Sequence, residues 1–86
     1  MTKDELVKKI LAGKARDLDL VGADLSGVTL RNANLYMANL TNANLRGADL
    51  ANANLYGANV TNADFTDAFL KGANFKLAKR TNAKGL

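Results

Sequence analysis

Apolar positions fall along this chain at a fixed interval of five. Leu20, Leu25, Leu30, Leu35, Leu40, Leu45, Leu50, Leu55, Val60, Phe65, Leu70 and Phe75 follow one another without a slip, making twelve units. Two residues before each stands Leu18, Ala23, Val28 or, from residue 33 to residue 73, alanine every time. The residue between the two is Asn or Asp in ten of the twelve units, with Thr29 and Phe69 as exceptions. The unit therefore reads Ala-(Asn/Asp)-Leu-x-x.

Neither regular element accommodates this period. On an α-helix, five residues turn through about 500°, so successive leucines step round by about 140° and form no stripe. On a straight strand a step of five sends alternate leucines to opposite faces. Within one unit, however, Ala and Leu are two apart and share a face, so three residues are extended and the next two must turn the chain. The pattern predicts a coil with a corner in every unit. Gly22, Gly27, Asn32, Asn42, Gly47, Asn52, Gly57, Asn62, Asp67 and Gly72 occupy the second x position and tolerate turn dihedrals; Met37 and Leu77 depart from this. At the first x position Tyr36 recurs as Tyr56, and Thr41 as Thr61 and Thr81, all at a lag of twenty. Lags of five, ten and fifteen match only sporadically, which favours four units per turn. Twelve units then make about three coils, a stack only about 14 Å tall.

Tandem Ala-(Asn/Asp)-Leu-x-x resembles the pentapeptide repeat proteins, and the resemblance covers residues 18–77. It implies an all-β solenoid, a right-handed quadrilateral β-helix with the central Leu or Phe and the small Ala both pointing inward.

The ends read differently. Thr2-Lys3-Asp4-Glu5 fits a capping box with Thr2 as N-cap and Glu5 three residues on. Leu6, Val7, Ile10 and Leu11 then make one apolar face, and Gly13 is a stop. The expected organisation is a capping helix, over residues 3–12, and entry segment at 1–17, the β-helix at 18–77, and a C-terminal tail or partial cap at 78–86. The cap matters because the end coils of a solenoid expose unpaired edges. At the C-terminal end Arg80 takes the place of a core Leu, while Phe69, Phe75 and Leu77 crowd an end with no second helix to cover it. They are the candidate residues for a C-terminal contact, either tucked under residues 78–86 or paired with a second copy as a homodimer.

Composition narrows the chemistry. There is no Cys, so neither a disulfide nor a thiolate metal site is available, and no His, so the commonest metal ligand and general base are both missing. The acids sit one per unit on outward positions, so no pair converges for catalysis, and no cofactor is expected. No apolar run reaches the roughly 20 residues that span a bilayer, nor the length of a signal peptide's apolar core. No membrane association is expected, and cytoplasm is the default compartment, a processed form in another compartment being the alternative. The net charge of +4 is unevenly spread: residues 1–16 carry +3, residues 17–67 carry −4, and residues 68–86 carry +5 through Lys71, Lys76, Lys79, Arg80 and Lys84.

A non-enzymatic structural or protein-interaction module follows, with a protein partner whose identity the sequence does not give. Its candidate interaction face is Tyr36, Tyr56 and Lys76, stacked in one column, with Arg46, since Tyr and cations are enriched at interface hot spots. Nucleic-acid association rests on the basic tail alone, without stacking platforms or a recognition helix. The resemblance adds gyrase interaction by mimicry of duplex DNA, for which a short rod with basic ends is poorly suited. Ice binding by the Thr41, Thr61, Thr81 column is a further alternative, narrow because Val21 stands at its base.

Overall fold

The computed structural model describes residues 1–86 apart from the side chain of Asp17. The repeats wind into a coil whose successive turns lie twenty residues apart. Parallel bridges join Asp24 to Asn44 and on to Asp64 and Lys84, Thr29 to Asp49 and Phe69, Asn34 to Asn54 and Asn74, and Asn39 to Asn59 and Lys79. Four units therefore close one turn, and the recurrences of Tyr and Thr at that lag are columns.

Each unit contributes the same bonds. The N–H of Leu35 donates to the Asn54 carbonyl at 2.8 Å and the N–H of Asn54 returns to the Ala33 carbonyl at 2.9 Å, a pair repeated on every side of the coil. At the corner, the N–H of Ala38 donates to the Leu35 carbonyl at 3.0 Å, closing a four-residue turn. The second x residue of that turn has positive φ, the requirement of a type II turn. The value recurs at every corner from Gly22 (70°) to Asn82 (57°), including Met37 and Leu77, both at 59°. At these two corners the turn overrides residue preference, because their neighbours on either side are fixed by the ladder.

Inside, Leu20, Leu25, Leu30, Leu35, Leu40, Leu45, Leu50, Leu55, Val60 and Phe65 are fully buried, with Ala at 33, 38, 43, 48, 53, 58 and 63 filling the space between them. Small and large inward positions alternate, so each Leu packs on the turn above and the turn below.

The N-terminal helix α1 (Lys3–Leu11) closes one end. Its capping box is complete: the Glu5 N–H donates to Thr2 Oγ1 at 3.2 Å and the Thr2 N–H donates to Glu5 Oε1 at 3.0 Å. These bonds hold the Glu5 carboxyl below its ordinary range. Gly13, at φ 82°, ends the helix, with Lys14 N–H donating to the Lys9 carbonyl and Gly13 N–H to the Ile10 carbonyl. Ile10 is fully buried, and Leu6 and Val7 pack against the same cluster. Leu11 does not join them: it is 54% exposed. The face of the helix that packs on the coil is thus Leu6, Val7 and Ile10. Lys3 stitches the helix to the first turn, its Nζ donating to the Ser26 carbonyl at 2.8 Å and to Ser26 Oγ at 3.2 Å.

At the other end the ladder runs on past Leu77. Lys79 N–H bonds the Ala58 carbonyl and Lys84 N–H bonds the Ala63 carbonyl, both at 2.9 Å, so residues 78–86 follow the coil path at least to Lys84. Leu70, Phe75 and Ala83 are only partly buried there.

Candidate contact surfaces

The polar position of the unit is committed to the fold. In all ten units with Asn or Asp between the inward residues, its Oδ1 accepts the N–H two residues on, at 2.9 to 3.1 Å. Asn and Asp serve equally because the required atom is one acceptor oxygen. Thr41 and Thr61 add their hydroxyls, donating to Asn39 and Asn59 Oδ1 at 2.6 Å. Thr41 and Thr61 thus spend their hydroxyl protons on the Asn side chains of their own units.

Two carboxylates carry an arginine as a further partner. Arg31 Nε donates to Asp49 Oδ2 at 2.6 Å, and Arg46 Nη1 to Asp64 Oδ2 at 3.0 Å. In both pairs an arginine on one turn reaches down to the acid eighteen residues on. Asp64 is held to about 2, first by the Thr66 hydroxyl and N–H, then by Arg46. Asp24 is lowered as well, by the Ser26 hydroxyl and N–H and then by Lys3.

Tyr36 and Tyr56 stack with ring centroids 5.7 Å apart and planes inclined by 14°. Arg16, twenty residues before Tyr36, lies over the outer ring with its guanidinium carbon 5.6 Å from the centroid. Lys76 follows in register below, since the Gly57 N–H bonds its carbonyl as the Met37 N–H bonds that of Tyr56. The column therefore runs cation, ring, ring, cation, and Tyr36 is 39% exposed. Arg46 does not stand with it. Its column neighbours are Ser26 and Thr66, two columns from the tyrosines in either direction, and its charge faces Asp64. Arg16 is the cation that the sequence reading missed, because it precedes the first clear unit; the lag of twenty was the signal that would have found it.

The three residues grouped at the C-terminal end also separate. Phe69 stands on an outer wall under Arg31, whose guanidinium carbon is 5.8 Å from its centroid. Phe75 points inward, edge-on to Phe65 at 5.6 Å, with the Arg80 guanidinium over its other side at 5.6 Å. Leu77 occupies a corner and is 72% exposed. Ala51, at the outward first x position of its unit, is 3% exposed in a column between Arg31 and Lys71. Among the described residues, no cavity opens into the molecule and no three acidic side chains gather to hold a metal ion. No helix is long and apolar enough to cross a membrane.

Comparison with known proteins agrees with this geometry. Pentapeptide repeats, in eight copies, match residues 15–47 and 43–79. A pentapeptide repeat protein from the thylakoid lumen of Arabidopsis thaliana superposes with a TM-score of 0.79 at 41% identity, over 83% of this chain and 49% of that one. Rfr23 from the cyanobacterium Cyanothece gives 0.63 at 43% identity, over 76% and 42%. HetL, a Nostoc protein involved in regulating heterocyst differentiation, gives 0.51 at 36%, over 74% and 37%. This chain thus spans less than half the length of each of the three. No curated protein sequence matches significantly. With its units in phase, its corners all left-handed and its turns bridged at twenty, the chain belongs to the pentapeptide repeat family, whose fold is a right-handed quadrilateral β-helix.

Proposed function

We propose that this chain is a non-enzymatic structural and protein-interaction module of about three coils, and that the Tyr36–Tyr56 column is its contact face. The observation that carries this reading is the ring stack, Tyr36 exposed and Tyr56 half-buried, with Arg16 over Tyr36 and Lys76 in register below. Two rigid rings held by the ladder lose little entropy on binding, and flanking cations suit the aromatic and charged composition of contact sites. In the central units the outward Asn and Asp side chains are spent on turns, and Arg31 and Arg46 on ion pairs. Pentapeptide repeat proteins are generally non-enzymatic structural repeat proteins, and the regulatory role named for HetL is of the kind a contact module performs. We place it in the cytoplasm; the lumenal Arabidopsis protein makes a lumenal compartment the alternative.

The test is a capture experiment on lysate of the source cell, comparing the native chain with a Tyr36→Ala, Tyr56→Ala double variant of matched thermal stability. The reading expects a specific partner to be lost with the double variant. Equal recovery of the same partners would remove the tyrosine column from the account.

A further inference from the structure

The corner rule breaks in a single column. From Gly22 to Asn82 the corners are Gly, Asn or Asp except at Met37 and Leu77, and these two stand in the same column with Gly57 between them. Each holds a large apolar side chain at φ 59°, where such side chains are disfavoured, and both are exposed. Asn42 and Asn62 close the same kind of turn one corner further on, so the turn itself requires neither Met nor Leu. A local rule broken twice in one place, with apolar surface turned to solvent, marks a site kept for contact. Gly57 belongs to it as well, because a side chain there would strike the Met37 sulfur that lies over it.

This corner adjoins the tyrosine wall, since Tyr36 precedes Met37, Tyr56 precedes Gly57 and Lys76 precedes Leu77. The Met37 N–H bonds the Tyr56 carbonyl and the Gly57 N–H bonds that of Lys76, so these backbone groups are satisfied along the coil. They offer a partner no sideways ladder. Whatever docks here must satisfy its own backbone, which a helix does and an added strand does not. The charge on this wall has one sign. Lys76 and Lys79 are exposed on either side of Leu77 and form no ion pair among the described residues, and Arg16 lies over Tyr36. Asn34, Asn54 and Asn74 give their Oδ1 atoms to the N–H groups of Tyr36, Tyr56 and Lys76, which leaves their amide donors outward. Across the corner, the acid Asp19 stands at the opposite end of its side from Lys79, with Oδ1 on the Val21 N–H.

We propose that the corner of Met37, Gly57 and Leu77, with the tyrosine rings beside it, docks an amphipathic helix of a partner protein whose apolar stripe is bordered by carboxylates. The inference rests on the tyrosine column being the contact face and adds the chemistry of the partner. Two steps of the coil separate Met37 from Leu77, about 10 Å. Apolar residues at i, i+4 and i+7 of a helix span about 10.5 Å, so one such stripe laid along the coil reaches both. The flexible Met37 thioether adapts to the side chain between them, and the bordering carboxylates meet Lys76 and Lys79. A second copy of this chain does not supply that helix. Its α1 presses its apolar face on the first turn and carries Lys8 and Lys9.

The probe is a capped fourteen-residue peptide of leucine, alanine and glutamate, with leucines at i, i+4, i+7 and i+11 and glutamates bordering them. It is titrated into the full chain while backbone amide resonances are followed. Saturable binding is expected, with shifts at Tyr36, Met37, Tyr56 and Gly57 and a gain of helix in the peptide by circular dichroism. Met37→Asn with Leu77→Asn places at both corners a residue that other corners of this coil already carry, so the fold is kept and the affinity should fall roughly tenfold. Added salt should weaken binding to the native chain as well. No saturation, equal binding of a peptide with lysine in place of glutamate, or unchanged affinity in the Met37 and Leu77 variant would overturn the proposal. So would the same shifts on concentrating the chain alone, which would identify a second copy, or displacement of the peptide by phosphatidylglycerol vesicles, which would identify a lipid surface. Partners lost from the lysate with the tyrosine variant, but no peptide binding, would remove the acidic helix and leave the tyrosine face standing, so the two failures are told apart.

Discussion

Arg46 and Asp64, eighteen residues apart in sequence, meet at 3.0 Å across one turn of the coil, and the same carboxylate accepts the Thr66 hydroxyl at 2.5 Å and its N–H at 2.9 Å. Together they hold Asp64 at about 2, against an ordinary 3.8. A lowered carboxyl binds fewer protons folded than unfolded, so its contribution to stability is complete above about pH 4 and disappears as pH falls through about 2. Asp64→Asn keeps the acceptor for Thr66 and loses a mostly solvated ion pair, which contributes little at neutral pH. Thermal unfolding between pH 5 and pH 2 should therefore fall less steeply for the variant, with Asp24 and Glu5 supplying the remaining slope. Identical pH dependence in the two proteins would show that Asp64 is not the group responsible.

Leu77 sits at a corner with φ 59° and 72% of its surface exposed, so it carries the strain of the left-handed region with little packing in return. Leu77→Asn should raise stability by about 1 kcal/mol. Met37 has the same φ, but its side chain lies against Gly57, so Met37→Asn should gain less. A lower melting temperature for the Leu77 variant would mean that Leu77 makes contacts the coil does not show.

The cap can be weighed by two adjacent residues. Ile10 is fully buried over the first turn and Leu11 is not. Ile10→Ala should cost about 2–5 kcal/mol, whereas Leu11→Ala should change stability by no more than about 0.5 kcal/mol. Denaturant titration of both variants decides it, and comparable losses would place the helix differently on the coil.

Much of this was legible in the sequence, and the reasons are local. The period of five fixed which residues face inward, the glycines and asparagines marked corners, and Thr2 with Glu5 announced the helix start. What escaped depended on contacts between turns. The Arg31–Asp49 and Arg46–Asp64 pairs emerge only when the lag of twenty is combined with the backward reach of a long side chain. Ala51 is buried by its column although its position faces outward. Arg46 was grouped with the tyrosines by residue type, but its column lies elsewhere. Leu11 obeyed the helical pattern and still met solvent, because amphipathic spacing does not say how far a coil extends beneath a helix.

Amide hydrogen exchange, residue by residue, tests the central claim that turns twenty residues apart are bridged into one coil. Leu35, Leu40, Leu45, Leu50 and Leu55 donate to the following turn at 2.7 to 2.8 Å, whereas Leu70, Phe75 and Arg80, at the same place in the repeat, have no acceptor among the described residues. The account predicts strong protection for the first group and fast exchange for the second. Uniform protection from Leu35 through Arg80 would contradict it.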